Sequence, residues 1–355
     1  MALTGFTATT IQRQAFVNLF YQLQTGGATG TGLGNPSSGT GLELPLNTGH
    51  GEMSMDNIPS LQVRQDGLTV RGRHGTQKTK GAYKSELQAY NFDNIMEAVM
   101  RGTWAPGGAL GGSILVNPIA GQLVRRYWTI EEYERDLLQS EVYSNTVWSM
   151  FQMMVKPNGM IAFDYDWMGT GHTDGLDQTT TPTAPNFTTA ALPSRNAGVP
   201  VIPMAALDAT VTMDDGTGPR TILNLTDWSL KVDLKVTAPP VAASRFSPDV
   251  FDGILEVGGT MKFMRADLIN FRDALAETPI TMAITVATPA TFTGGTPQSF
   301  RFTIPQFTLG SAIKSDIKRD GGPLEETVPF PTALVGVDDR GGAFPPTMMI
   351  IERNY

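Results

Sequence analysis

Apolar and polar residues alternate with a period of two over much of this chain, which predicts strands that bury one face. The clearest run sets Trp228, Leu230, Val232, Leu234 and Val236 against Ser229, Lys231, Asp233 and Lys235. In MIAFDYDW, Phe163 and Tyr165 oppose Asp164 and Asp166, and with VWSMFQMMV and the Pro157-Asn158-Gly159 turn this reads as a hairpin. Trp128 and Ile130 alternate with Tyr127, Thr129 and Glu131, and ITMAITVA, FRFTIPQF and MMIIERNY supply further strand-like segments. Helical spacing is confined to short stretches. One helix is predicted over 87–100, with Leu87, Ile95 and Val99 near one face and Phe92 beside them, and another over 266–276. A third, short helix is predicted in TTIQRQAFVNLFYQLQ, where Ile11, Phe16, Leu19, Phe20 and Leu23 share a face.

These elements repeat. The passage from Asn57 to Arg101 recurs in diverged form from Asn224 to Glu277, and the pairs Asn91-Phe92 and Asn270-Phe271 set its register. Two copies are too few for a solenoid but suit a chain that fills two equivalent positions in a ring. The expected organisation is an N-terminal arm over 1–56 containing the short helix and a tract rich in Gly, Ser and Thr, a first domain over 57–169, a connection over 170–202 and a second domain over 203–355. The fold class is mainly β.

Composition narrows the function. Of 355 residues, 41% are hydrophobic, enough for a substantial core. No apolar run approaches the roughly 18 residues of a membrane helix, and the first residues predict no secretory signal. Zero cysteines remove disulfides, thiol catalysis and cysteine-based metal sites. A net charge of -8 argues against gripping nucleic acid through its phosphates, though not against letting it slide past.

Candidate chemistry is sparse. His50, His74 and His172 have no metal-ligand spacing, and His172, Asp174 and Asp177 read more simply as a polar loop than as a cation site. GRHGTQKT, from Gly72 to Thr79, resembles a phosphate-binding loop but has Gln77 where the second glycine belongs. Carboxylates gather at Glu131, Glu132, Glu134 and Asp136 and at Asp164 and Asp166, without the environment that divides acid from base in glycoside cleavage. No catalytic residue, metal or cofactor is predicted. An interval carrying Arg64, Arg71, Arg73, Lys78, Lys80 and Lys84 reads as a long basic hairpin.

The order of the segments GAYKSELQAYNFDNIMEAVMRGTW, RRYWTIEEYERD and VWSMFQMMVKPNGMIAFDYDWMG, followed by a second sheet-helix unit ending in TIPQF and MMIIERN, resembles the tail tube proteins of long-tailed, siphovirus-like bacteriophages, specifically the double-domain type. The resemblance implies two tandem β-sandwich domains, each with one flanking helix, whose inner sheets join between subunits into a closed barrel. It also implies stacked rings, trimeric pseudo-hexamers in a double-domain chain, forming a conduit for double-stranded DNA. Implied partners are other copies of the chain, the tape measure protein, and the tail terminator and distal tail proteins. The implied location is the virion tail, assembled in the host cytoplasm. On this reading Glu131, Asp164, Asp166, Asp227 and Asp233 are candidates to line the lumen, where carboxylates repel phosphates. The basic interval from Arg64 to Lys84 is the candidate for reaching the next ring. The competing reading is a phage or cell-surface β-protein that binds a receptor or decorates a capsid, and a glycan-cleaving enzyme is the third.

Overall fold

The computed structural model describes residue 14, residues 17–24 and residues 39–355 except 63–64, 67, 69, 109, 119–120, 138, 175–186, 191–201, 243, 267, 290–296, 311–312, 315–321 and 337–345. The first half of the chain runs through β1 (Val17–Leu23), β2 (Gly39–Leu44), β3 (Thr48–Ile58), β4 (Arg73–Glu86), helix α1 (Asp93–Met100), β5 (Ala105–Pro106), β6 (Ser113–Val116), β7 (Trp128–Glu134), β8 (Gln139–Val155), β9 (Ala162–Gly169), β10 (Gly171–Asp174) and β11 (Phe187–Ala190). The second half continues with β12 (Ala209–Asp214), β13 (Arg220–Thr221), β14 (Leu225–Asp233), β15 (Glu256–Met264), helix α2 (Ile269–Ala276), β16 (Ile280–Ala287), β17 (Ser299–Phe307), β18 (Ile313–Lys314), β19 (Glu325–Phe330), β20 (Ala333–Leu334) and β21 (Ile350–Asn354). The fold is mainly β, as the alternation predicts, and its strands form two sheets. Every pairing between these strands is antiparallel except that of β11 with β2.

β8 belongs to two layers. Its first half pairs with β7 and β10, and from Val147 onward it pairs with β9 and then β14. The change of layer falls at Asn145, whose φ of 55° is left-handed, a conformation that asparagine tolerates better than most residues. The facing layers close on aromatic side chains. Tyr21 meets Trp148 edge-on at 6.0 Å between ring centroids, and Phe92, at the start of α1, stacks on Phe163 at 4.4 Å. Each of these rings is buried, so this core and not surface charge holds the layers together.

The repeat is legible in the strand order. The first half runs β2-β1-β7-β8-β10, and the second half runs β13-β12-β16-β17-β21. Likewise β3-β4-β9 is matched by β14-β15-β19. Both helices end on a left-handed residue, Arg101 with φ 54° and Glu277 with φ 50°, and both begin after a residue of the same conformation, Phe92 or Leu268. These caps place Asn94 opposite Asn270, which moves the register set by Asn91-Phe92 and Asn270-Phe271 by three residues. Three residues are close to one helical turn, so both alignments preserve a similar apolar face; the caps decide between them.

Three expectations are corrected. Residues 17–23, placed in a short helix, form β1: Leu19 and Tyr21 are buried on one face and Phe20 on the other, and pairing along all of β7 captures the segment as a strand. Apart from residues 14 and 24, the remainder of that predicted helix lies outside the described residues, as does most of the Gly, Ser and Thr tract. The glycine-rich stretch after α1 carries β5 and β6, which add to the second sheet beside β21. The connection over 170–202 contains β10 and β11. α1 itself begins later than predicted, because the backbone of Leu87 is already engaged: its N–H donates to the Ile161 carbonyl at 2.8 Å and its carbonyl accepts from Met204 at 2.9 Å.

Candidate functional site

One continuous run of strands, β3-β4-β9-β8-β14-β15-β19-β18, crosses from the first half into the second. Its seam is the pairing of β8 with β14, where Met150 to Val155 face Asp233 to Trp228. One face of this run is apolar and covered. The other is polar: Asp164 and Asp166 point away from buried Phe163, Tyr165 and Trp167, and Asp227, Ser229, Lys231 and Asp233 point away from Trp228, Leu230 and Val232.

The register sets charges in rows across this face. Lys84, Asp164, Gln152 and Lys231 occupy one row, and Ala82, Asp166, Met150, Asp233 and Glu256 the next. Lys84 lies 3.8 Å from Asp164, Lys231 2.8 Å from Asp233, Lys235 3.2 Å from Glu256, and Lys262 2.7 Å from Glu325. Among the described residues the carboxylates of this face (Glu52, Asp56, Glu86, Asp164, Asp166, Asp227, Asp233, Glu256 and Glu325) outnumber its lysines (Lys78, Lys80, Lys84, Lys231, Lys235 and Lys262). Such part-exposed pairs contribute about 0–1 kcal/mol each, so the face is poorly explained as a stabilising device.

Asp166 stands out. Burial pushes its carboxyl up to about 6; Lys231 opposes this, while the neighbouring charges of Asp164 and Asp233 add to it. Burial also raises Asp164, against the pull of Lys84. Burial would raise Asp233 too, but the Lys231 ammonium and the Lys235 backbone N–H both donate to it and leave it below the usual carboxylate range.

Four of the five sequence-predicted carboxylates, Asp164, Asp166, Asp227 and Asp233, thus share one face. Glu131 does not join them. It is fully buried on β7, away from this run, where the Ser140 hydroxyl donates to it at 2.5 Å. Both faces of β7 are covered, so alternation there does not separate wet from dry. Its neighbour Glu132 ties the layers together, accepting from the Tyr83 hydroxyl at 2.7 Å and the Gly51 N–H at 2.6 Å. The carboxylate cluster on β7 therefore serves packing. Gly72–Thr79 forms no phosphate-binding loop either, because β4 is extended from Arg73 onward. His172 rests 3.8 Å from Glu141.

The basic interval forms one limb of the β3–β4 hairpin. β9 covers β4 only from Thr79 to Glu86, so the hairpin end runs past β9, where the Gln77 N–H donates to the Arg245 carbonyl at 2.6 Å. The limb is less bare than its sequence suggests, because β3 supplies acids: Lys80 lies 2.8 Å from Glu52 and Lys78 3.7 Å from Asp56. Arg71, Arg73 and His74 instead border an open cavity of about 610 Å³ together with Arg245, and no ion pair among the described residues engages these arginines. Arg64 lies outside the described residues.

The two ends of the strand run complete the site. Among the described residues β3 pairs only with β4, and β18 only with β19. In the repeat β3 is the counterpart of β14, and β18, following β17 and pairing with β19, is the counterpart of the second half of β8. The two open edges therefore match the two strands that pair at the seam. Sequence reasoning missed this, since the alternation of each strand carries no record of its partner.

A family model described as phage tail tube protein matches residues 20–331, from within β1 to just past β19, and so spans both copies of the repeat, the polar face and both edges. The chain belongs to the phage tail tube protein family. No curated protein matches it. As a tail tube protein it is a structural component of the virion tail and assembles with itself into a tube.

Proposed function

We propose that each chain contributes two adjoining segments of the tube wall and that three chains close one ring, which stacks on others to make the tube. The observation that carries this reading is the seam: β8 and β14 already join within the chain as their counterparts β18 and β3 would join between chains. Closure removes two open edges that would otherwise invite uncontrolled pairing, and a repeated heterologous contact closes when its rotation divides a full turn. The two wall segments correspond to tandem domains over 57–169 and 203–355, with β1 and β2 from the 1–56 arm completing the first. Mass measurement on isolated rings, alongside negative-stain microscopy of the purified protein, tests the reading. Rings of three chains are expected; particles of one chain that never assemble would contradict it.

In this reading the polar face bearing Asp164, Asp166, Asp227 and Asp233 lines the lumen and keeps double-stranded DNA from adhering during ejection, because carboxylates repel phosphates and the lysines beside them are occupied by acids. Before ejection the same lumen surrounds the tape measure protein. The projecting β3–β4 hairpin, with Arg71 and Arg73 at its end, reaches the adjacent ring, and the tail terminator and distal tail proteins meet the tube at its ends. Assembly takes place in the host cytoplasm. This role needs no catalysis, and in the β7 carboxylate cluster Glu131 and Glu132 are engaged by Ser140, Tyr83 and Gly51.

A further inference from the structure

The two helices have the same length and the same caps but opposite surroundings. At matching positions, Phe92, Ile95 and Val99 of the α1 region are each 0% exposed, whereas Leu268, Phe271 and Leu275 of the α2 region are 48%, 42% and 71% exposed. On α2 these three form one stripe, spaced i, i+3 and i+7. The helix is held from its other side, by Arg220 at 3.0 Å from Asp273 and by Ala274 against the core. An exposed apolar stripe of this kind marks an interaction surface rather than a solvated one.

α1 draws its surroundings from both halves of the chain. α1 packs on β8, the first-half strand of the seam. Phe92 stacks on Phe163, Phe163 on Phe151 of β8, and Phe151 faces Val232 of β14 in register. The second half of the chain closes over the start of the helix, where Arg353 pairs with Asp93 and the ring of Tyr355 meets Tyr90 at 4.3 Å. α2 holds the corresponding place in the chain, following β15 as α1 follows β4, and the strand run to which β15 belongs ends at the open β18 edge.

We propose that the Leu268, Phe271 and Leu275 stripe is a docking surface for a second copy of this chain in the same ring, occupied by the first half of that copy as the second half of the chain occupies the surroundings of α1. The inference rests on the ring reading above and adds a lateral contact outside the barrel wall. It also explains why the stripe survives on a surface: burial against the neighbour removes from water what the isolated chain leaves exposed.

The absence of cysteine from the sequence makes Phe271→Cys a single-thiol probe. A maleimide should label this variant rapidly in dissociated chains and at least tenfold more slowly in assembled tubes. A second variant, Leu275→Asp, should keep the Tm of the isolated chain, because the side chain is already exposed, and should form no rings. Equal labelling in chains and tubes, or normal tubes from Leu275→Asp, would overturn the proposal. Rings that form from Leu275→Asp but fail to stack would overturn its lateral placement. A wild-type chain that never assembles would overturn the ring reading and this inference with it, whereas assembly with a reactive thiol would overturn this inference alone.

Discussion

Asp166 is ionised at neutral pH against the preference of its surroundings. Its folded value of about 6 lies above the ordinary 3.8, so the folded chain favours the protonated form. The cost of ionisation is therefore absent below about pH 4 and fully developed above about pH 6. A shift of this size corresponds to about 3 kcal/mol for a fully buried group, and screening of this part-exposed carboxylate reduces it to about 1 kcal/mol. Asp166→Asn should accordingly stabilise the isolated chain by about 1 kcal/mol at pH 7.5 and leave it unchanged at pH 3.5, as read by denaturant unfolding at both pH values. A destabilising acid beside two others is what a phosphate-repelling wall would retain. Part of this was legible in sequence, since the alternation of Asp164 and Asp166 with Phe163 and Tyr165 puts both acids on one face. Their altered acidity was not, because Lys84, Lys231 and Asp233 come from strands distant in the chain. Glu131 misled for a related reason: alternation separates the two faces of β7 but does not reveal that both are covered.

Among the elements, the β3–β4 hairpin is the one whose removal should separate folding from assembly. Its projecting end contributes little to the core, and its pairs, such as Lys78 with Asp56, are exposed. Replacing residues 59–72 with a short turn should leave the Tm of the isolated chain within a few degrees of wild type while abolishing tube growth, checked by thermal unfolding and microscopy of the same preparation; unimpaired growth would refute the role assigned to the hairpin. The long alternating strands β9 and β14 and both helices could be recognised from local pattern alone. β1 could not, because apolar residues on both of its faces imitate helical spacing. β5 and β6 were hidden in glycine-rich sequence, and β6 is held as a strand by β21, more than two hundred residues away in the chain, with β5 paired to it in turn.

At the scale of the whole molecule, the repeat matters more than either half. The duplicated passage pointed to two equivalent units, and the matched strand orders support that equivalence while shifting its register at the helices. What no single-chain pattern could reveal is that the units share one sheet through β8 and β14, leaving edges that are copies of the seam. On the reading proposed above, that arrangement leads to ring closure, to a polar face turned toward the axis and to helix α2 turned toward a neighbour. A density map of the assembled tube at side-chain resolution tests this most directly. It should show β18 of one chain beside β3 of the next, antiparallel as at the seam, with Asp164, Asp166, Asp227 and Asp233 facing the lumen; those carboxylates on the outer wall, or chains that meet without joining their sheets, would contradict it.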